Sequence, residues 1–257
     1  MATSETKGGG IKSAVNVFDI IEAIQRLDGG TLKEIADHVG MPSSTAHAYL
    51  STLKEEGYVI KRDNTYELSL KFLEHGSYVQ RSNELMEISQ RPLEELTQKS
   101  GELASLVVEE RGHCVRLDLK SCGTALKIST HAGDRFPMHC HASGKAILAY
   151  LPEDDVEAIL EHHGLPPATE HSITDPDVLF EELATIRDRG YALNDQESVP
   201  GLRAVASPIL REGTPLGAVS ISGPAHRISD SKLQNGLLEL VQSTANEIEL
   251  RLLAERN

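Results

Sequence analysis

Cys114, Cys122, His131, His139, Cys140 and His141 stand close together in the middle of the chain, and thiols and imidazoles in such a set are the side chains that hold zinc or attack a carbonyl. His139 and His141 flank Cys140. An extended segment there places both imidazoles on one side and the thiol on the other. That pair supplies two ligands, and His131 or His113 would have to add a third. No quartet of the usual spacing follows, and the odd set of three cysteines has no C-x-x-C pair. The composition argues against a zinc ribbon and against a disulfide framework, so neither a metal nor a cofactor is expected.

A second group is Ser143-Gly144-Lys145 with Ser220 and Ser222. The serine lacks a G-x-S-x-G elbow and the glycine lacks the upstream partner of a phosphate loop, so nucleophilic and P-loop chemistry both fail. The segment instead opens a helix whose first amides attract an anion such as a carboxylate. Ser220 and Ser222 alternate with Val219 and Ile221 on a late strand, so their hydroxyls share one side. If that side faces Ser143, the three hydroxyls form a small polar pocket. If not, they pack under a helix.

The third chemistry is recognition of a nucleic acid. Thr31 to Val39 reads as a helix with Thr31 as cap and Glu34 completing a capping box, and Gly40 ends it. Met41-Pro42-Ser43 restarts a helix to about Glu56 that buries Ala46, Leu50 and Leu53, with the hydroxyls of Ser43 and Ser44 placed to satisfy its first amides. Ser44, Thr45, His47 and Ala48, beside Tyr49, then face outward, as on a recognition helix. Tyr58–Arg62 and Thr65–Leu68 alternate around Asp63-Asn64, giving a wing with Lys61 and Arg62 at its tip for phosphate contact.

Other elements must carry these groups. Lys12–Leu27 is a helix beneath the other two, Leu70–Val79 a helix or turn, and Glu84–Ser100 a linker helix in which Pro92 predicts a break or bend near Gln90. Strands are expected at Leu103–Val108, Cys114–Leu119, Ala125–Thr130, Tyr191–Asn194, Arg203–Ile209 and Leu216–Ser222. Helices fall at Ser143–Tyr150, Pro152–His162, Asp177–Arg189 and Asp230–Ala254. The order gives two domains: residues 11–72, a winged helix-turn-helix, and residues 73–257, a sheet flanked by helices, entered through a linker helix at about 84–100.

Composition limits the partners. The 257 residues carry a net charge of −14, with 39% hydrophobic residues and no Trp. Over Ile11–His75 the balance is −3 and over residues 76–257 it is −11, so nucleic-acid contact must come from a local patch. Lys54, Lys61, Arg62 and Lys71 supply that patch, near the third helix and the wing. An acidic surface of this kind suits a cell with concentrated internal salt. No apolar stretch reaches the length of a membrane span, and Met1–Gly10 reads as a polar, disordered tail without the core of a signal peptide, which predicts a cytoplasmic protein with no membrane partner.

Several separated stretches resemble the isocitrate lyase regulator (IclR) family of transcription factors, from Ile11 to about Leu253. They are Ser43-Ser-Thr-Ala-His-Ala-Tyr-Leu50 with Leu53–Tyr58; Gly133-Asp-Arg-Phe-Pro-Met-His139 running into Ala142-Ser-Gly-Lys-Ala-Ile-Leu148; Arg189-Gly-Tyr-Ala192 with Glu197, Gly201, Ala206 and Pro208; and Ser220-Ile-Ser-Gly-Pro224 with Arg227. The resemblance implies an α+β chain with an N-terminal winged helix-turn-helix, a dimerising linker helix and a C-terminal GAF-like effector domain. It implies an effector pocket of Ala142 and Ser143, Asn194 or Asp195, Ala204, Ser220 and Ser222. With the acidic composition it points to a haloarchaeal member. Ala48 stands where many members have a basic residue, Ser43 replaces a frequent Lys, Asn194 an acid of some members and Ala204 a Cys of others, so a glyoxylate-type ligand does not follow.

The expected function is a ligand-responsive regulator of a catabolic operon and not an enzyme, bound to double-stranded operator DNA as a homodimer or tetramer and answering to an organic acid or sugar-derived effector. Two other readings compete. One is a small-molecule or metal-dependent enzyme with an accessory winged helix, and the other a sensor whose winged helix contacts proteins.

Overall fold

The computed structural model describes residues 10–122 and 130–254. The strand expected at Ala125–Thr130 lies outside them, apart from Thr130. The chain divides into two compact units with the boundary after Val79.

In the first unit, α1 (Lys12–Arg26) precedes a two-residue strand β1 (Gly30–Thr31), then α2 (Leu32–Val39) and α3 (Ser43–Glu55). Thr31 caps α2 through a complete capping box: its own N–H donates to Glu34 Oε2 at 2.8 Å, and Glu34 N–H donates back to Thr31 Oγ1. The Thr31 backbone N–H and the Thr31 hydroxyl, which also donates to Glu34 Oε2 at 2.8 Å, hold the Glu34 carboxyl below its ordinary range, the backbone bond first. Gly40, at φ 72°, ends α2. Strands β2 (Val59–Arg62) and β3 (Thr65–Leu68) pair with Arg62 opposite Thr65, so Asp63-Asn64 is the two-residue connection, and β1 adds a third strand on β3. Ile20, Ala23 and Ile24 of α1 meet Ile35, Leu50, Leu53, Val59 and Tyr66 in one core. The helix α4 (Lys71–Arg81) follows.

The start of α3 differs from expectation. Its cap is Pro42 and no side chain caps its first amides, so Ser43 and Ser44 are helical residues with exposed hydroxyls. Pro at the cap fixes the entry angle and leaves no side-chain oxygen to do the work.

The second unit opens with α5 (Leu85–Ser100), continuous through Pro92. No break occurs near Gln90. One backbone bond is lost at a proline, but Ile88, Pro92, Leu93 and Leu96 are all buried and hold the helix against the sheet. There follow β4 (Leu103–Glu110), β5 (His113–Lys120), β6 (Arg135–Pro137), α6 (Ala142–Leu148), α7 (Glu153–His163), α8 (Pro176–Arg189), β7 (Ala192–Asp195), β8 (Leu202–Arg211), β9 (Thr214–Pro224), α9 (Asp230–Lys232) and α10 (Leu238–Ala254). The expected single closing helix is divided. Asn235 and Gly236 leave helical conformation, with Gly236 at φ 126°.

All neighbours in the sheet β6-β5-β4-β9-β8-β7 are antiparallel. Alternation gives each face its own core. Ala104, Leu106, Leu193, Val205, Val219 and Ile221 meet α5 and α10 on one side. On the other, Val107, Ala192, Ala204, Ala206 and Ala218 lie under α6 and α8. That second row is mostly alanine, which lets α6 lie close across β8 and β9.

Close approach also fixes Gly144. A Cβ there would run into the backbone of Met138. Gly144→Ala is therefore expected to destabilise the fold by about 1–3 kcal/mol, whereas Gly76→Ala, with open space around it in α4, should stabilise by about 0.4–1 kcal/mol. Thermal melts of the two variants check the contrast, and equal midpoints would contradict it.

Candidate functional site

A cavity of about 130 Å³ opens between the N-terminal turn of α6 and the alanine-rich face of the sheet. Ala142 and Ser143 form its roof. Ala204 of β8 and Ser220 and Ser222 of β9 form its floor, and Asn194 of β7 closes one side. Register explains the grouping: Asn194 pairs with Ala204, Ala204 with Ser222 and Ala206 with Ser220, so these side chains belong to one face. Asp195 is the exception. It points the other way from Asn194 and pairs with Arg203 at 3.2 Å, more than half exposed.

The side wall is the connection from β7 to β8, and it is tightly held. Asn194 Nδ2 donates to Ser198 Oγ at 2.7 Å, and Glu197 N–H donates to Asn194 Oδ1 at 2.9 Å. Thr169 and Ser172 donate their hydroxyls to the carbonyls of Gln196 and Glu197. The strongest tie is ionic. Lys145 Nζ, on α6, donates to both Glu197 oxygens at 2.5 and 2.7 Å, with the ammonium 2% exposed and the carboxylate 11%. Burial pushes the Glu197 carboxyl up and Lys145 pulls it back.

Arg116 of β5 and Phe136 of β6 also line the cavity, with Leu103, Thr130, His141, Ser198, Val199 and Leu202. Arg116 Nη1 donates to Ser105 Oγ at 2.6 Å, and its guanidinium lies 5.1 Å from the Phe136 ring centre. Burial lowers its pKa, against the pull of Asp134. Sequence reading passed over both Arg116 and the Lys145–Glu197 pair. A basic residue sharing a strand face with buried Cys114 was the available signal for Arg116; a pair 52 residues apart leaves no local pattern.

The thiol and imidazole cluster is dispersed. Residues 138–141 form a turn instead of an extended segment, so the two imidazoles do not share a side. His139 Nε2 contacts the Pro166 carbonyl at 3.1 Å, His141 Nδ1 the Pro137 carbonyl at 2.9 Å, and His131 is bonded to Asp134. Among the described residues no group of three or more His, Cys, Asp or Glu has the geometry to hold a metal ion. Burial pushes the Cys114 thiol far up and that of Cys140 up to about 11, so neither is a nucleophile near neutral pH.

On the first unit, Ser43, Ser44, Thr45, His47 and Ala48 are exposed along one side of α3, and Lys61 and Arg62 are exposed at the end of the wing. Tyr49 is half-buried and its hydroxyl accepts from Asn16 Nδ2 at 3.0 Å, which braces α3 on α1. Lys71, partly covered, donates to the Glu56 carbonyl and lies over the Tyr58 ring. Arg62 lies 3.7 Å from Glu67, and Lys61 covers Tyr66.

Two domain families match this arrangement: the IclR helix-turn-helix domain over residues 13–63, and the bacterial transcriptional regulator IclR C-terminal domain over residues 77–250. The chain belongs to the IclR family. It is 33% identical to the probable HTH-type transcriptional regulator ArcR of Halobacterium salinarum, over 94% of each chain. It is also 33% identical to the acetate operon repressor of Salmonella typhimurium, over 97% of this chain and 93% of that one. The solved IclR of Thermotoga maritima superposes with a TM-score of 0.79 at 30% identity, covering 95% of this chain and 99% of the other. As an IclR-family member the chain is a DNA-binding transcriptional regulator with an effector domain, and not an enzyme. Among the described residues no helix is long and apolar enough to cross a membrane.

His141 gives the cavity a pH signature. Burial pushes its pKa down from 6.5 to about 4, only partly offset by the Pro137 carbonyl. The unfolded chain takes up that proton near pH 6.5 and the folded chain only near 4, so stability falls as pH drops through this window. At pH 5 the loss is about 2 kcal/mol. His141→Gln should remove that part of the difference between melts at pH 7 and pH 5, and an unchanged difference would contradict the assignment.

Proposed function

We propose that this regulator reads its operator with the exposed face of α3 and the wing, and is switched by a small effector held between α6 and β9. Thr45, His47 and Ala48 face the base edges, with Ser43 and Ser44 beside the phosphates and Lys61 and Arg62 on the backbone of the duplex. The observation that carries the DNA half is the open start of α3: no side chain caps its first amides. Those amides suit a phosphate. The observation that carries the effector half is the cavity lined by Ser143, Asn194, Ser220 and Ser222. An organic acid or a sugar-derived acid fits its chemistry, and the name of the Salmonella relative, an acetate operon repressor, supports control of a catabolic operon.

The regulator acts as a homodimer or a tetramer. Val15 and Phe18 of α1 with preceding Ile11, and Leu73, Tyr78 and Val79 of α4 with preceding Leu70, are large apolar side chains left exposed in one chain. Such surfaces mark protein interfaces. Paired heads also double the base contacts of a unit whose own charge is negative.

Gel shifts with the DNA upstream of its own gene test the reading. Thr45→Ala and His47→Ala should each weaken binding by about 1–3 kcal/mol, and Lys61→Ala with Arg62→Ala should flatten the salt dependence by a log–log slope of about 2. Ser222→Ala should leave the effector-free shift intact while altering the response to effector. Head variants that bind as well as the unaltered protein would overturn the DNA assignment.

A further inference from the structure

Among the described residues lining the cavity, Arg116 is the one that carries a charge near neutral pH, since no carboxylate lines it and burial keeps His141 neutral. The Arg116 side chain is 15% exposed. One N–H group of its guanidinium is bonded, to Ser105, and its buried Nε has no hydrogen-bond partner among the described residues. Asp134 approaches Nε only to 3.9 Å, beyond hydrogen-bond reach. The Asp134 oxygens are already occupied by the Thr130 hydroxyl and the His131 amide, both at 2.8 Å, and by the His131 ring at 3.3 Å. A buried guanidinium with most of its donors unused is costly unless an anion completes it.

Register places the remaining donors in line with it. Arg116 bonds Ser105; Ser105 stands opposite Ser220; Ser222 lies two residues further along β9 and opposite Ala204, which pairs with Asn194. Polar groups therefore run from a full positive charge at β5 to neutral hydroxyls and an amide at β9 and β7. The turn that opens α6 offers less to an anion. That helix has only seven residues, and its partial charge is about half of a guanidinium's at most.

We propose that Arg116 is the carboxylate anchor of this pocket, and that the effector is a three- to five-carbon hydroxy- or keto-acid with its remaining oxygens toward Ser143, Ser220, Ser222 and Asn194. This rests on the reading of the cavity as the effector site. The volume sets the length: about 130 Å³ is near the roughly 150 Å³ that accommodates a benzene-sized guest. The carboxylate displaces no protein anion on entry and forms two parallel charge-assisted bonds to the guanidinium. A neutral sugar leaves Arg116 with Asp134 at 3.9 Å as its one nearby carboxylate among the described residues, and that carboxylate is beyond hydrogen-bond reach of Nε.

Calorimetric titration of the full-length protein with lactate, glycerate, 2-oxobutyrate and 4-hydroxybutyrate, each beside its primary amide, tests this directly. At least one acid is expected to bind, with its amide at least 10-fold weaker. Arg116→Gln should lose at least 10-fold in affinity for that acid while binding the amide within threefold of the unaltered protein, and Arg116→Lys should fall between. An amide that binds as tightly as its acid, or an acid that binds Arg116→Gln undiminished, overturns the role of Arg116 and leaves the cavity standing as the effector site. Absence of binding by every acid and every amide overturns both. Acid against amide on the unaltered protein decides the matter even if Arg116→Gln does not fold.

Discussion

Lys145 and Glu197 are two buried charges that cannot stand apart, and one wall of the cavity beneath α6 is built on their meeting. Removing an ammonium and a carboxylate from water costs several kcal/mol each, and only close pairing with further hydrogen bonds offsets this. Both carboxylate oxygens accept from Nζ, while the backbone N–H and carbonyl of Glu197 are fixed by Asn194, Thr169 and Ser172. The connection between β7 and β8 is thereby locked to α6, with Asn194 and Ser198 held at the cavity edge. Any change in the placement of α6 reaches that wall through the same pair.

The second constraint is the contrast between the two faces of one antiparallel sheet. Aliphatic residues fill the face toward α5 and α10, whereas Ala192, Ala204, Ala206, Ala218, Ser220 and Ser222 line the other. Small side chains bring α6 close across β8 and β9. They also stop short of filling the space at its N-terminal turn. The cavity is thus a consequence of residue size on one face, and Arg116 enters it from the neighbouring strand. An overall charge of −14 makes that buried cation a local device, set against the field of the protein.

How far the sequence reveals this depends on the range of each interaction. The capping box at Thr31 and Glu34, the two-residue turn at Asp63-Asn64 and the shared face of Ser220 and Ser222 are local patterns, legible from spacing alone. Of the break or bend expected near Gln90, the break does not occur, because tertiary packing of Ile88, Leu93 and Leu96 outweighs one lost backbone bond. The shared side expected for His139 and His141 fails because residues 138–141 turn instead of extending. Strand β1 escapes notice as two residues held only by β3, and β6 as three held only by β5. The pairing of Lys145 with Glu197 has no spacing to read, since it exists only once α6 lies on the sheet.

In the head, an acidic domain can still read DNA because exposed cations lie on α3 and the wing. Lys71 is tied to the Glu56 carbonyl and the Tyr58 ring, so the exposed positive charge on α3 and the wing is that of Lys54, Lys61 and Arg62, with Arg62 partly answered by Glu67. The proposed interface therefore relies on the fit of short side chains on α3 more than on phosphate attraction. The claim on which the whole arrangement turns is that Lys145 and Glu197 act as one unit. Hydrogen exchange at the amides of residues 194–198 and of α6 measures this in Lys145→Met, Glu197→Leu and the double variant. Each single change should speed exchange strongly by stranding a buried charge, and the double variant should exchange more slowly than either. Effects that simply add in the double variant would contradict it.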